Sequence, residues 1–272
     1  PHQPCGEPMT VLTLGPAGTF SHELAARLYG DDIELLPTIR AIIERVAGGS
    51  AEGLVPIENS EAGGVGETLQ GLVEFGVSIT GEAYMPVRHH LAAREEPERL
   101  SVVYAHPQTH EQCSILLESL GVEVVHTSSN AASAVAMQRD SRAGAVIPEM
   151  AATIYGLPIA LRDVQNSREN TTRFVEISST PCRGSGCTKC SLLVDPKTDR
   201  VGLLAEILGV FARRGINLTR IESRPSRRGI GSYIFFIDLE VSEGWQEAKE
   251  ELKGMTAVRE LGCYARLEVP GI

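Results

Sequence analysis

The chain has 272 residues, 42% hydrophobic and 22% charged, with 25 Lys and Arg against 35 Asp and Glu for a formal net charge of −10. That content can bury a core, which excludes a disordered chain, and the length fits a little under two average domains. The acidic balance and 5% aromatic content exclude a dedicated nucleic-acid binder, and no apolar run approaches the roughly 18–20 residues that span a bilayer.

From the N-terminus, Pro1 to Pro8 lack the basic-then-apolar pattern of a secretion signal, so a cytoplasmic protein is expected. Thr10–Leu14 then reads as a strand and Gly15–Gly18 as a tight turn. Thr19 or Ser21 caps a helix through Leu24, Ala25 and Leu28. After a short strand at Ile33–Leu36, Thr38 caps a helix whose Ile39, Ile42, Ile43 and Val46 fall at i, i+3, i+4 and i+7, the apolar face of an amphipathic helix. Strands at Gly53–Ile57 and Val77–Tyr84 flank a helix at Gly66–Glu74. The rhythm resumes with a strand at Ser101–Tyr104, a helix from about Gln108 to Leu120, and a strand at Val122–His126. A helix near Asn130–Arg139, a strand at Ala143–Ile147 and a short helix ending near Tyr155 follow. Repeated β–α units predict a largely parallel sheet flanked by helices. Two blocks, about 9–84 and 85–165, are each small for a dinucleotide-binding domain, so two α/β lobes with a cleft between them are expected. Arg173–Ser178 reads as a strand returning to the first lobe, which then includes 166–178.

Residues 179–189 collect Ser, Thr, Pro, Gly and Arg, the composition of a linker. Six cysteines are too few for a disulfide scaffold. Cys5, Cys113 and Cys263 are scattered, whereas Cys182, Cys187 and Cys190 cluster, with Cys187 and Cys190 in C-x-x-C spacing. A structural zinc site needs four ligands, and no second close pair follows, so no metal is expected. Past the linker the elements read Ser191–Val194 β, Val201–Arg213 α, Asn217–Ser223 β, Gly231–Leu239 β, Gly244–Leu252 α and Ala257–Val269 β. That order, βαββαβ, is the ferredoxin-like plan, expected as a module separated from the body by the linker.

Several segments could carry chemistry. Gly15-Pro16-Ala17-Gly18-Thr19-Phe20-Ser21 joins a strand to a helix, and its N–H groups and hydroxyls could hold an anion; an ordinary capped turn is the plainer reading. Glu58-Asn59-Ser60 ends a strand, where ligands of open α/β sheets bind. The following Gly64-Val65-Gly66 lacks the third glycine of a dinucleotide fingerprint, and no phosphate-loop Gly-Lys-Ser/Thr occurs. His106 and Gln112 follow another strand, while His89 and His90 at the lobe crossover read as solvated. Asn170-Thr171-Thr172-Arg173-Phe174 places two hydroxyls and a guanidinium before a strand, and Arg suits bidentate carboxylate binding.

Taken in order, GPAGTFS, PIENSEAGGVGET, HPQTHEQC and NTTRF resemble the prephenate dehydratases, and GLLAEILGVFARRGINLTRIESRP resembles the regulatory ACT domain fused to them. The resemblance runs from about Met9 to Tyr264. It implies a periplasmic-binding-protein-like, two-lobed catalytic body over 9–178 and an ACT domain over 190–269. The implied reaction is decarboxylating dehydration of prephenate to phenylpyruvate, water and CO₂ in phenylalanine biosynthesis, with no cofactor. Thr172 is then placed near the departing hydroxyl, with Glu58, Asn59 and Gln112 as further catalytic candidates. Gly18, Thr19, Ser21, Ser60 and Arg173 are implied as substrate contacts, Arg173 having loop bracing as its alternative and Glu58 likewise.

Gly202, Leu203, Leu204, Gly215, Asn217, Leu218, Glu222, Ser223, Arg224 and Pro225 match the family's L-phenylalanine-binding motifs, which implies feedback inhibition. The ACT module implies a homodimer or homotetramer. Two residues depart from the family pattern: Ala105 where serine is common, and Cys190 where threonine is. Arogenate, with an amino group in place of the keto oxygen, is the neighbouring substrate. A non-catalytic two-lobed sensor of aromatic metabolites is the alternative of another class.

Overall fold

The computed structural model describes residues 10–182, 186–196, 200–228 and 232–271. The expectations for Pro1–Pro8 and for Cys5 lie outside these residues, as does part of the linker. In chain order the first lobe runs β1 (Val11–Leu14), α1 (Phe20–Tyr29), β2 (Ile33–Leu36), α2 (Ile39–Ala47), β3 (Glu52–Asn59), β4 (Gly63–Gly64), α3 (Gly66–Glu74) and β5 (Ser78–Pro86). The second lobe runs β6 (His90–Ala93), β7 (Val102–Ala105), α4 (Pro107–Gln112), α5 (Ser114–Leu120), β8 (Glu123–His126), α6 (Asn130–Met137), β9 (Ala143–Ile147), α7 (Glu149–Ile154) and β10 (Ile159–Leu161). The chain then returns in β11 (Thr171–Ser178). α2 forms where the apolar period predicts it: the Thr38 hydroxyl accepts from the Ala41 N–H, and Ile39, Ile42, Ile43 and Val46 are all buried.

β1, β2 and β3 are parallel, but β11 enters antiparallel between β3 and β5, so the sheet is mixed rather than largely parallel. The reason is connectivity: β11 comes back from the second lobe and has to run opposite to its neighbours. The second sheet, in order β10-β6-β9-β7-β8, is mixed for the same reason, with β6 antiparallel to β9 and β10 antiparallel to β6. The helix expected over 108–120 is broken at Cys113, whose φ of −126° and ψ of 21° leave the helical region.

Antiparallel pairing of β11 with the parallel strands gathers four segments at one edge of the first lobe. They are the turn after β1, the end of β3, the start of β11 and the end of β5. Two crossovers join the lobes and are stitched together: Val87 N–H donates to the Asn170 carbonyl at 2.8 Å, and Val164 N–H to the His89 carbonyl at 2.8 Å.

The C-terminal elements are β12 (Lys189–Asp195), α8 (Leu203–Ala212), β13 (Leu218–Pro225), β14 (Tyr233–Glu240), α9 (Trp245–Met255) and β15 (Ala257–Arg266), the βαββαβ order. The linker does not hold this module apart. β15 pairs in parallel with β5, Ala265 opposite Gly81 and Arg266 opposite Glu82, so its sheet continues that of the first lobe. Leu193, Ile234, Phe236, Leu261 and Tyr264 share one core with Leu12, Ile43, Val55 and Leu69 of the body. Gly262 is the tightest point: a Cβ there would lie 2.1 Å from the Ile79 carbonyl oxygen, and its φ of +144° suits glycine.

β12 and β15 also set Cys190 opposite Cys263, 73 positions on, and join the two sulfurs in a disulfide. Glu260 brings a carboxylate to the same spot, its donor atom and both sulfurs lying within 4.8 Å of one another. Cys187 donates to the Cys263 carbonyl at 3.1 Å. Cys190 therefore meets a distant partner that local spacing could not reveal.

Candidate active site

Strand alternation decides which motif residues face the cleft. Thr172 stands opposite Asn59 and Arg173 opposite Glu58, so each pair lies on its own face of the β3–β11 ladder. On the first face the Asn59 side-chain carbonyl accepts from the Glu61 and Ala62 N–H groups at 3.1 and 2.9 Å. Those two bonds fix the amide orientation. Asn59 Nδ2 therefore donates, to Thr172 Oγ1 at 3.0 Å and to Asn170 Oδ1 at 2.8 Å. Thr172 receives at its oxygen, which leaves its own hydrogen to be donated elsewhere. Asn170 is buried and donates in turn to Glu61 at 3.1 Å. Ser60 spends its hydroxyl on the start of β11, accepting from the Thr171 N–H at 3.0 Å and donating to the Glu169 carbonyl at 3.4 Å.

Across the crossover, Gln112 Oε1 accepts from His89 Nε2 at 3.0 Å. His89 is 1% exposed and His90 4%, so neither is solvated as expected. They lie under the stitched crossovers, with Phe20 edge-on to the His89 ring at 5.3 Å. Burial lowers the His89 pKa to about 4, so the imidazole is neutral near pH 7 and its Nε2 proton points at Gln112. A cavity of about 220 Å³ opens beside this pair, lined among others by Glu61, Glu111, Gln112, Gln165, Asn166 and Asn170. None of its lining residues is basic. Gln165 also lines it, and its Nε2 is a buried donor with no hydrogen-bond partner among the described residues.

The turn after β1 sits on the cleft side as a tight structural joint. The Thr19 hydroxyl accepts from the His22 N–H at 3.3 Å and donates to the Leu14 carbonyl at 3.2 Å, capping α1. Gly18 N–H donates to His22 Nδ1 at 3.0 Å, and Ser21 is buried in the helix. Gly18, with φ +87°, lies so near α7 that a Cβ would sit 3.0 Å from Ala151, which is where the lobes approach each other.

The opposite face carries the residues whose expected role changes. Arg173 is 5% exposed and its guanidinium is spent on the protein: Nε to Glu82 at 2.8 Å, Nη1 to Asp238 at 2.6 Å, Nη2 to the Tyr264 hydroxyl at 2.8 Å. Burial acts to lower its pKa, but Asp238, Tyr264 and Glu82 more than reverse this and raise it. Of its two expected roles, this geometry leaves bracing. Glu58 likewise faces Arg173 at 3.4 Å and Arg220 of β13 at 3.5 Å, away from Asn59 and Thr172. The glycine-rich loop serves approach rather than phosphate binding: a Cβ on Gly64 would lie 2.2 Å from the Glu222 carboxylate, and one on Gly66 3.3 Å from Arg224. Glu222 and Arg224 of the module thus rest on the body, while Asn217, Ser223 and Pro225 are exposed. Gly202 and Gly215, at φ +84° and +65°, bound α8. Leu203 is buried and Leu204 exposed. From sequence, His89 reads as solvated and Asn170 enters only as part of its motif, while Gln165, Glu82, Asp238 and Tyr264 are not singled out.

Comparison with known proteins gives a consistent set. A family model described as Prephenate dehydratase matches residues 11–182, and one described as ACT domain matches 197–255. The chain is similar to the bifunctional chorismate mutase/prephenate dehydratase of Aquifex aeolicus, 38% identical over 94% of this chain and 73% of that protein. It spans only 65% of two other bifunctional relatives. It is 34% identical to the prephenate dehydratase of Methanocaldococcus jannaschii, over 93% of this chain and 97% of that one. Among solved structures, the prephenate dehydratase of Arthrobacter aurescens in complex with L-Phe matches with a TM-score of 0.84 and 31% identity, covering 94% of this chain and 90% of that one.

Proposed function

The chain belongs to the prephenate dehydratase family and carries an ACT domain, and from that premise we propose that the Asn59–Thr172 pair performs the decarboxylating dehydration of prephenate. In this reaction the bond to the ring carboxylate breaks and CO₂ leaves. The released electron pair completes the aromatic ring, the C–O bond opposite breaks, and the departing oxygen takes up one proton from solvent to leave as water. Thr172 donates a hydrogen bond to that oxygen as negative charge develops on it. The observation that carries the reading is the direction of the Asn59 bond: with Nδ2 donating to Oγ1, the threonine hydroxyl is held as a donor, and accepting one bond strengthens the one it gives. No cofactor is needed, since aromatisation drives the step.

Substrate carboxylates are held by neutral amides. Gln112, oriented by His89, and Gln165, whose Nε2 has no partner among the described residues, line the cavity. Such donors suit a dianion in an acidic protein better than a bare field would, because they are local and already desolvated.

L-Phenylalanine is the effector in this reading, bound on the strip formed by Gly202–Leu204, Gly215–Leu218 and Glu222–Pro225. Val201, Leu204, Ile221 and Tyr233 leave apolar surface exposed on the module, which supports pairing with a second copy and hence a homodimer or homotetramer. No helix among the described residues is long and apolar enough to cross a membrane, and a cytoplasmic setting is part of this reading.

The test is phenylpyruvate formation from prephenate and, in parallel, the corresponding product from arogenate. Thr172→Ala should lower kcat by about 10²-fold or more, the scale for losing one such donor, and Thr172→Ser should retain much of it. Binding of prephenate without turnover in the native chain would leave the sensor reading instead.

A further inference from the structure

Arg173 closes a hydrogen-bonded ring that crosses from the body into the module. Its Nη2 donates to the Tyr264 hydroxyl at 2.8 Å, Tyr264 donates to Ser191 Oγ at 2.6 Å, Ser191 donates to Asp238 Oδ1 at 2.6 Å, and Asp238 Oδ2 accepts from Arg173 Nη1 at 2.6 Å. Glu82 of β5 accepts from Arg173 Nε, and Lys189 of β12 reaches Glu82 at 2.7 Å and the Tyr84 hydroxyl at 3.1 Å. Ser191, Asp238 and Tyr264 come from β12, β14 and β15, and all are nearly fully buried. Every charge here has a partner, the condition under which a buried ion network fixes geometry.

Arg173 is covalently next to Thr172, and the ladder between β3 and β11 shifts register immediately after it, between Arg173 and Phe174. A bulge loosens local pairing and re-aims side chains. The Thr171–Arg173 end of β11 is therefore offset from the rest of the strand on the β3 side, while it pairs in register with Pro86–Tyr84 of β5, and the ring adds a side-chain anchor to that end.

We propose that Arg173 is a positioning residue for Thr172, anchored by Asp238 and Tyr264, so that the docked module is a structural part of the active site. This rests on the assignment of Thr172 given above. Motion of the module against β5 then acts on the chemistry through kcat, by shifting the anchors of one guanidinium.

The experiment is a double-mutant cycle on the full chain, with prephenate as substrate. Asp238→Asn, made alone, should lower kcat about tenfold, the scale of a sub-ångström misplacement, with KM changed less than about twofold. The same substitution in a Thr172→Ala background should cost nothing further, because the group it positions is gone. An equal fold-loss in both backgrounds, or a change confined to KM, would overturn the proposal. Tyr264→Phe keeps the packing and opens the ring at one hydrogen bond. It should show the same pattern at smaller size, and it carries the test if Asp238→Asn lowers the thermal midpoint below the assay temperature. Full kcat in Thr172→Ala would instead sink the assignment of Thr172, and the positioning role with it.

Discussion

On the cleft face of β3 and β11, Thr172, Asn59 and Asn170 are joined by neutral hydrogen bonds in which Thr172 accepts, which leaves its own hydroxyl proton to give. One residue along each strand, on the module face, Arg173 and Glu58 sit among Glu82, Asp238, Lys189 and Arg220. There the Arg173 guanidinium is engaged by Glu82, Asp238, Tyr264 and Glu58, all within the protein. Reactive groups need an unspent hydrogen bond to give to substrate, whereas a joint between two sheets needs none left over. A charged residue beside a proposed catalytic one is thus no guide to substrate binding, and in this fold the charges mark the joint.

Asn59→Asp would break the comparison most sharply. The side-chain volume and the two bonds accepted from Glu61 and Ala62 N–H survive, but the donor to Thr172 becomes an acceptor. Thr172 would then turn its proton inward. We expect kcat to fall by 10²- to 10³-fold, about 3–4 kcal/mol of barrier, with the thermal midpoint changed little by comparison. Steady-state kinetics beside thermal melts separate the two effects.

Gly262→Ala attacks the other face. The new methyl would meet the Ile79 carbonyl at the point where β15 crosses β5, in a backbone conformation that L residues rarely adopt. Stability should drop by about 3 kcal/mol, within the range for strain at a special backbone position. Denaturant unfolding of this variant should be shallower or biphasic if the module leaves its seat before the body melts.

How far the sequence reaches differs between these faces. α2 is legible because one face of it is buried and the other exposed, so the period of 3.6 is written in the residues. β6, with all four residues buried, and the three-residue β10 have no such alternation and are missed. Motif resemblance locates Thr172, Asn59 and Gln112, but it does not say which neighbours share their face. The period of two in a strand does: Glu58 and Asn59 cannot both face the cleft, nor can Thr172 and Arg173. His89 lies in Val87-Arg88-His89-His90-Leu91, between an arginine and a second histidine, and that polar context carries no sign that it is buried. Nothing local to Asp238 or Tyr264 announces Arg173, which arrives only when β14 and β15 pack on the body, and nothing local to Cys263 announces Cys190, which β12 brings beside it.

The buried His89 gives the cleft side a pH signature. Its pKa is lowered to about 4 in the folded protein, chiefly by burial, from 6.5 in the unfolded chain. The unfolded state therefore takes up a proton below pH 6.5 that the native state refuses. Stability is full above pH 6.5 and falls as pH drops toward 4, by roughly 2 kcal/mol at pH 5. His89→Gln should flatten that part of the stability–pH curve measured by urea unfolding, and it should weaken substrate binding by releasing Gln112.

Glu58→Gln is the smallest effect and the most discriminating one for the comparison. Glu58 adjoins Asn59 in sequence, so a catalytic carboxylate at this position would make the substitution ruinous. In the fold its carboxylate points the other way, to Arg173 and Arg220 at 3.4 and 3.5 Å, and its side chain is 36% exposed. Contacts this long at a half-exposed site are screened, and Arg173 keeps its shorter bonds to Glu82 and Asp238 without them. We expect kcat to change by no more than about fivefold, the scale of one partly exposed ion pair, with an unaltered pH–rate profile. A loss approaching that of Asn59→Asp, or a shifted acidic limb, would put the Glu58 carboxylate back on the cleft face and merge the two faces into one site.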